Sequence, residues 1–247
     1  MFWRLFTRSS DIERFRHGES PWALVTGASD GIGKALVQTL ASRVADATQP
    51  ALVSKVAEAV VGKRLTIAIN NVGDVEGPVQ IVENATPEDI ERSINLGASW
   101  LTQLTRVLLP YLIANQPSLM INIGSLVAKH PSPYLAIYSA TKAYTLAFTH
   151  ALAVEHRKPH PSLRIQYCEV HGVATPSSNN PESFIIPSPQ TIAKAVISSV
   201  GRRSDYVVPY WPHEFMSWVL AGLPGGWIDA MLETMFREKR TDIRGDK

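Results

Sequence analysis

Short apolar runs alternate along the chain with segments whose apolar residues recur at helical spacing. Buried strands are predicted for five runs: Trp22–Thr26, Leu65–Ile69, Leu119–Ile123, Leu163–Val170 and Tyr206–Val208. Helical patterns lie near residues 32–42, 50–61, 87–110, 134–156 and 189–201. Strands that alternate with helices are typical of a parallel sheet with helices on both faces. The pattern therefore predicts an α/β fold built on a doubly wound parallel sheet.

Composition and charge exclude several classes of protein. The 247 residues are 45% hydrophobic and 19% charged, which is typical of a globular chain. The 24 basic and 22 acidic residues leave a net charge of +2, too small for a nucleic-acid-binding surface. The single cysteine, Cys168, excludes internal disulfides and multi-cysteine metal sites. We expect no metal, no nucleic-acid partner, no signal peptide and no segment of about 20 apolar residues that would span a bilayer.

A glycine-rich turn lies between the first predicted strand and the first predicted helix. It reads Thr26-Gly-Ala-Ser-Asp-Gly-Ile-Gly33. Glycines let the backbone approach a phosphate closely, and the start of the following helix supplies free N–H donors and a positive dipole. This placement favours a site for the pyrophosphate of a dinucleotide. The alternative is an ordinary turn that closes a strand–helix unit.

A tyrosine and a lysine share one face of a later predicted helix. Tyr138 and Lys142 are four residues apart, and Ser125 follows the strand that ends at Ile123, at the sheet edge where α/β sites form. Lowering the pKa of a tyrosine from near 10 to neutrality requires about 4 kcal/mol. An ammonium group about 4 Å away supplies about that energy at an effective dielectric constant near 20. The pair favours a tyrosine that exchanges protons near neutral pH, and the alternative is a chance pairing on a helix.

These motifs occur together in a defined order. Asn70-Asn-Val-Gly73, Asn95, Ser125 and Tyr138-x-x-x-Lys142 follow the glycine turn. Over about residues 20–210 the chain resembles the short-chain dehydrogenase/reductase superfamily. The variants Asn-Asn-Val-Gly and Ile-Tyr-Ser-Ala-Thr-Lys are similar to the branch that holds 17β-hydroxysteroid dehydrogenases and very-long-chain 3-oxoacyl-CoA reductases. The resemblance implies a Rossmann-type fold and a nicotinamide cofactor.

The resemblance also implies a role for each matched residue. Tyr138 would exchange a proton with the substrate oxygen, and Ser125 would hydrogen-bond the carbonyl. Lys142 would lower the pKa of the tyrosine and hold the nicotinamide ribose, and Asn95 would anchor a water that links Lys142 to solvent. Cofactor contacts are implied for Gly27, Ser29, Gly31, Ile32, Gly33, Asn71, Gly73, Asn95, Tyr138, Lys142, Val173 and Thr175. His171 stands where the family has proline, and we expect it to be structural.

The first half of the chain is shorter than the family pattern. Only 36 residues separate Gly33 from Asn70, where the family fits two strands and two helices, so about one strand–helix unit of roughly 30 residues is expected to be missing. Three interpretations of Asp46 follow. It contacts the adenine, or it reaches a ribose hydroxyl from residues 43–45 paired beside the first strand, or it is a solvated loop acid.

The chain divides into three predicted regions. Residues 1–20 form a charged leader, residues 21–210 the dinucleotide-binding and catalytic domain, and residues 211–247 an aromatic-rich extension. Seven of the twenty aromatic residues lie between Tyr206 and Phe236. We expect this segment either to cover the substrate cleft or to form an apolar patch that contacts a membrane surface.

The sequence therefore predicts an NADP(H)-dependent oxidoreductase that interconverts a ketone and a secondary alcohol on a small apolar substrate. The substrate classes are a 3-oxoacyl thioester, a steroid or a polyketide-like ketone, and NAD(H) stays open as the cofactor. The resemblance further implies a homo-oligomer in the cytoplasm or on the cytosolic face of the endoplasmic reticulum. The alternative is a non-enzymatic relative whose catalytic face is kept and whose cofactor binding is impaired by the deletion. A truncated gene product is a third interpretation.

Overall fold

The computed structural model describes residues 10–40, 53–73, 79–178, 180–202 and 204–240. A single sheet of five parallel strands lies at its centre, in chain order: β1 (Trp22–Val25), β2 (Leu65–Asn70), β3 (Ser118–Ser125), β4 (Leu163–Val170) and β5 (Tyr206–Val207). The α-helices of the described residues are α1 (Gly31–Leu40), α2 (Val53–Val60), α3 (Pro87–Ile94), α4 (Trp100–Ala114), α5 (Ala136–Arg157), α6 (Pro189–Ser199), α7 (Trp211–Ala221) and α8 (Gly225–Arg237). The predicted α/β fold is confirmed.

Side chains alternate between the two faces of the sheet, and both faces are apolar. On one face Ile69, Ile121 and Cys168 pack with α1 and α6. On the other face Ala68 and Met120 pack with α2, α4 and α5. Because neither face meets water, the strands read as continuous apolar runs rather than as alternating ones.

The first half of the sheet is short. β1 pairs directly with β2, and the described residues include no strand between them. α1 packs on one face and α2 on the other. β1 is the edge strand of the described sheet, and the loss of a strand–helix unit, which would lie beyond β1, stays a prediction. Asp46 and residues 43–45 lie outside the described residues.

The carboxyl ends of β1 and β2 border a crevice. The chain leaves β1 for α1 on one face and leaves β2 for α3 and α4, of which α4 packs on the opposite face. In doubly wound sheets, ligands bind where successive connections diverge in this way. The glycine turn follows β1 directly and therefore lies at this crevice.

A buried polar ladder fixes α5 on the sheet. The Asn70 amide donates to Oδ1 of Asn122 at 2.7 Å, and the Asn122 amide donates to the Thr149 hydroxyl at 2.8 Å. Thr149 in turn donates to the carbonyl of Thr145 at 2.6 Å. Buried polar groups lose these bonds if the helix slides, so the ladder selects one register for α5. The register of α5 matters because α5 carries Tyr138 and Lys142.

Both ends of the described chain pack on this core. The Asp11 N–H donates to the Val200 carbonyl at 3.1 Å, and Ile12 and Phe15 are buried against the α1 and α6 face. At the other end, Leu220, Ile228 and Leu232 of α7 and α8 form a small apolar cluster with Leu126, Met216 and Phe236. The division into leader, domain and extension stays a prediction.

Candidate active site

The glycine turn has backbone angles and close packing that require glycine. Gly27 and Gly31 have φ angles of +64° and +54°, in the left-handed region that favours glycine. A Cβ atom on Gly33 would lie 2.0 Å from the Gly27 carbonyl oxygen, so no side chain fits there. α1 begins at Gly31, and its first N–H groups are therefore available at the crevice.

The segment after β2 joins the glycine turn to α5. The Thr26 hydroxyl accepts hydrogen bonds from the N–H groups of Asn71 and Val72 at 2.9 and 3.1 Å. The Asn71 amide nitrogen lies 2.7 Å from the position that a Gly33 Cβ would take. A Cβ on Gly73 would lie 2.6 Å from Nζ of Lys142. This close packing explains why Gly33 and Gly73 carry no side chain.

Lys142 is buried next to Tyr138. Only 7% of Lys142 is exposed, and its Nζ donates to the Ile123 carbonyl at 3.3 Å. The same Nζ lies 5.6 Å from the centre of the Tyr138 ring. Burial lowers the pKa of Lys142 from 10.5 to about 8, because the ammonium group loses its water. Lys142 therefore stays mostly charged at neutral pH, and it ties α5 to β3 two residues before Ser125.

Ser125 is the last residue of β3. Its hydroxyl accepts from the Val127 N–H at 3.4 Å and caps the short 3-10 helix Leu126–Ala128. The Tyr167 hydroxyl accepts from the Ser125 N–H at 3.0 Å and donates to the Ser125 carbonyl at 3.1 Å. A Cβ on Gly124 would lie 1.9 Å from the Tyr167 ring. Sequence reasoning missed Tyr167, because its partners are reached only through the sheet.

Asn95 begins a π-helical turn, Asn95–Ser99, between α3 and α4. The sequence predicts an uninterrupted helix here, whereas the structure widens one turn, with the Trp100 N–H bonded to the Asn95 carbonyl. A Cβ on Gly97 would lie 2.5 Å from Cβ of Thr141. The turn therefore packs on α5 beside Lys142, and such turns are frequent at functional sites.

The loop after β4 lies over the glycine turn. A Cβ on Gly31 would lie 3.3 Å from Cγ2 of Thr175. Val173 is buried, and its carbonyl accepts from the Thr175 N–H at 2.9 Å and from the Ser178 hydroxyl at 2.6 Å. On the turn itself Ser29 is exposed, and the Ile32 side chain packs on the α1 and α6 core.

Other residues weighed in the sequence have structural surroundings. Cys168 is buried, and burial raises the pKa of its thiol to about 12. The rings of His156 and His160 stack with centres 5.2 Å apart. His171 lies 3.0 Å from the Glu169 carboxylate and stacks on His213. Within the described ranges no three His, Cys, Asp or Glu side chains are grouped as metal ligands.

The described residues fit a nicotinamide dinucleotide at two of its parts. Gly33 carries no side chain and packs directly on the Gly27 carbonyl, which keeps the turn compact, and the N-terminus of α1 supplies N–H donors that would hold a pyrophosphate. Lys142 carries a charge beside Gly73 and the Tyr138 ring, and it is the residue that would hold a ribose hydroxyl. Asp46, for which contact with the adenosine end is a prediction, lies outside the described part of the chain.

Comparison with known proteins places this arrangement in a family. The family model "short chain dehydrogenase" matches residues 43–183, more than half of the chain. A very-long-chain 3-oxoacyl-CoA reductase of Anas platyrhynchos is 28% identical over 243 residues, which covers 84% of this chain and 77% of the relative. Very-long-chain 3-oxoacyl-CoA reductase-B of Danio rerio is 30% identical over 237 residues, covering 82% and 75%.

Solved structures show the same fold. A short chain dehydrogenase from Burkholderia cenocepacia in complex with NADP has a TM-score of 0.70 at 24% identity, over 83% of this chain and 94% of that one. A 3-ketoacyl-(acyl-carrier-protein) reductase from Brucella melitensis complexed with NADH has a TM-score of 0.66 at 24% identity, over 77% and 95%. The fold, the family model and the relatives agree, and this chain belongs to the short-chain dehydrogenase family of oxidoreductases.

Proposed function

We propose that this oxidoreductase interconverts a ketone and a secondary alcohol on an apolar substrate, with Tyr138 as the proton donor and acceptor. The observation that carries the proposal is the buried Lys142. Its ammonium group lies beside the Tyr138 ring and bonds to the strand that ends at Ser125. A role in packing alone does not explain a buried ammonium group at this point, because burying a charge costs stability.

Each residue has one task in the proposed reaction. The Ser125 hydroxyl donates a hydrogen bond to the ketone oxygen and orients it toward Tyr138. Tyr138 gives its proton to that oxygen in reduction and takes it back in oxidation. The positive charge of Lys142 stabilises the tyrosinate that forms. A bound nicotinamide cofactor supplies or accepts the hydride at the carbonyl carbon.

The substrate that we propose is a 3-oxoacyl thioester with an apolar acyl chain. Leu126, directly after Ser125, packs with the apolar cluster of α7 and α8, so apolar side chains lie next to the proposed carbonyl site. The relatives named very-long-chain 3-oxoacyl-CoA reductases support the same class. Steroids and polyketide-like ketones are the other substrates to screen.

The cofactor that we propose is NADP(H). The B. cenocepacia structure holds NADP, and the B. melitensis structure holds NADH, so the neighbours support a nicotinamide dinucleotide of either kind. The shortened first half is the argument for the alternative, a non-enzymatic relative that binds cofactor poorly, whereas the intact Asn95, Ser125, Tyr138 and Lys142 are the argument against it. A titration separates these alternatives.

We also propose that α7 and α8 contact a membrane surface. Their outward faces carry apolar residues at helical spacing: Trp211, Phe215 and Trp218 on α7, and Trp227, Met231 and Met235 on α8, all exposed. Trp218 is 69% and Trp227 71% exposed, as in helices that lie in a membrane interface. The described helices include none that is both long and apolar enough to cross a bilayer. A homo-oligomer and the cytoplasmic or endoplasmic-reticulum location stay predictions.

NADPH is expected to bind the purified protein with a Kd on the order of 1 μM and more tightly than NADH, as read from nicotinamide fluorescence. Gly33→Ala should weaken binding at least about tenfold, because its Cβ would meet the Gly27 carbonyl at 2.0 Å. Gly226→Ala is the matched control, since nothing lies within 4 Å of its Cβ position. A cooperatively folded protein that binds neither cofactor would support the non-enzymatic alternative.

Tyr138→Phe is expected to lower kcat by at least about 10²-fold, because the proton donor is lost. NADPH affinity should stay within about twofold, because the ring is kept. Steady-state reduction of a 3-oxoacyl thioester and the fluorescence titration measure the two effects. Tyr144→Phe is the control. It removes a hydroxyl that contacts Thr102 from an exposed position of the same helix, and it should leave kcat and NADPH affinity unchanged. Turnover of Tyr138→Phe near the wild-type rate would refute the mechanism.

The buried charge of Lys142 should appear in the pH dependence of stability. The pKa of Lys142 is about 8 in the folded protein against 10.5 normally. Between these pH values the unfolded chain therefore binds more protons than the folded protein, so the free energy of unfolding of the wild type increases as pH rises. Without cofactor, the free energy of unfolding of Lys142→Met should exceed that of the wild type by about 3 kcal/mol near pH 7, and most of that advantage should be lost by about pH 10.

Urea unfolding of wild type and Lys142→Met at several pH values measures this difference. Lys194→Met, at an exposed position of α6, is the matched control and should show no comparable change. A wild-type-to-variant difference that is the same at every pH would show that Lys142 is not buried as a charge.

Membrane contact should depend on the outward face of α7 and α8. The protein is expected to sediment with phosphatidylcholine–phosphatidylserine vesicles, and the double variant Trp218→Ala, Trp227→Ala should stay in the supernatant, because it loses two interfacial aromatic side chains. Val61→Ala removes an exposed apolar side chain directly after α2; it is the control and should sediment as the wild type does. Complete recovery of wild type in the supernatant would contradict membrane contact.

A further inference from the structure

A buried carboxylate outside the proposed reaction lies close to its centre. The Glu169 side chain is fully buried, and Glu169 is paired across the sheet with Gly124, next to Ser125. Its oxygens accept hydrogen bonds from Nε2 of His171 at 3.0 Å, from the Ser217 hydroxyl at 2.7 Å and from the Tyr206 hydroxyl. We call these four residues the Glu169 network: Glu169, His171, Tyr206 and Ser217.

The donors keep Glu169 ionised. Burial by itself would raise the pKa of Glu169, but the hydrogen bonds from His171, Ser217 and Tyr206 lower it to about 2. Burial raises the pKa of Tyr206, and the bond to Glu169 raises it further, so the Tyr206 hydroxyl remains a donor. A charged group with three donors from separate segments holds each donor in place, because a lost bond leaves a buried charge short of partners.

The network reaches Ser125 through two tyrosines. The Tyr206 ring stacks on the Tyr167 ring, with centres 5.6 Å apart and planes inclined by 11°. Nζ of Lys129 lies 3.6 Å from the centre of the Tyr206 ring. Tyr167 in turn holds both main-chain polar groups of Ser125 with its hydroxyl. Burial raises the pKa of Tyr167, so this hydroxyl both accepts and donates at neutral pH.

The same network holds the helix next to the proposed substrate site. Ser217 lies on α7, and the neighbouring Met216 packs against the same apolar cluster as Leu126, the residue after Ser125. His213, also on α7, is fully buried, stacks on His171 at 4.5 Å and accepts from the His171 N–H at 3.4 Å. α7 and Ser125 are therefore attached to one buried carboxylate.

We propose that Glu169 is a positioning residue for Ser125, acting through Tyr206 and Tyr167. Glu169 fixes the Tyr206 hydroxyl, the Tyr206 ring supports Tyr167, and Tyr167 sets the backbone of Ser125 so that its hydroxyl meets the ketone oxygen. Glu169 touches neither substrate nor cofactor in this role. The inference rests on the proposed function, in which Ser125 is the carbonyl donor. The competing role is a purely structural one, in which the network only anchors α7.

Amide hydrogen exchange tests the first half of the proposal without cofactor or substrate. Tyr206→Phe removes the hydroxyl that donates to Glu169 and keeps the ring, and the substitution leaves Ser125 itself unchanged. The proposal predicts that exchange of the Ser125 N–H becomes at least about tenfold faster in Tyr206→Phe and in Tyr167→Phe. Glu169→Gln should act in the same direction, and Tyr144→Phe should not. Unchanged exchange at Ser125 in Tyr206→Phe and Glu169→Gln would overturn the proposal.

A double-mutant cycle with Ser125→Ala tests the second half. Tyr206→Phe should lower kcat about 10- to 100-fold with the NADPH Kd unchanged, because a displaced donor loses its effect in the transition state. In the Ser125→Ala background the same substitution should cost nothing more. An equal loss in both backgrounds would show that the network acts without Ser125 and would overturn the proposal.

The two readouts separate this inference from the proposed function. If Ser125→Ala alone keeps the wild-type rate, or if no ketone is reduced, the proposed function fails, and hydrogen exchange still decides whether the network sets the Ser125 backbone. If Tyr206→Phe does not fold, Ser217→Ala replaces it. Ser217→Ala removes one donor from α7 and should increase exchange at Ser125 by a smaller factor, whereas no increase would overturn the proposal.

Discussion

A buried ammonium group is the constraint on which the site depends. Taking the Lys142 charge out of water is unfavourable, and a carbonyl acceptor and close packing hold it there. Its Nζ bonds to Ile123 on β3 and lies where a side chain on Gly73 would be. The end of β2, the end of β3 and the helix α5 must therefore meet at one point. The polar ladder through Asn122 and Thr149 selects the helix register in which they do.

The shortened sheet keeps the part of the fold that this site uses. The crevice lies between β1 and β2, because the chain leaves these strands toward opposite faces. A missing strand–helix unit would pair beyond β1, on the side away from Tyr138 and Lys142. In the proposed function, the predicted deletion would therefore affect the adenosine end of the dinucleotide, whereas the glycine turn and the residues proposed for the nicotinamide end are kept.

Two buried charges hold the end of β3 from two sides. Lys142 reaches it from α5 through the Ile123 carbonyl, and Glu169 reaches it from β4 through Tyr206 and Tyr167. Gly124 lies between these contacts, and only a hydrogen side chain lets the Tyr167 ring pass so close. Ser125 follows directly, and the Tyr167 hydroxyl binds both its N–H and its carbonyl at the end of the strand.

The sequence by itself determined the order of strands and helices, the glycine turn and the shared face of Tyr138 and Lys142. These features depend on local spacing and on apolar runs, which a linear pattern records. Tertiary structure alone decided the π turn at Asn95, the passage of Tyr167 across Gly124 and the meeting of Glu169, Tyr206 and Ser217. The last three residues belong to two strands and a helix, and only packing around one buried carboxylate brings them together, so no local pattern could indicate them.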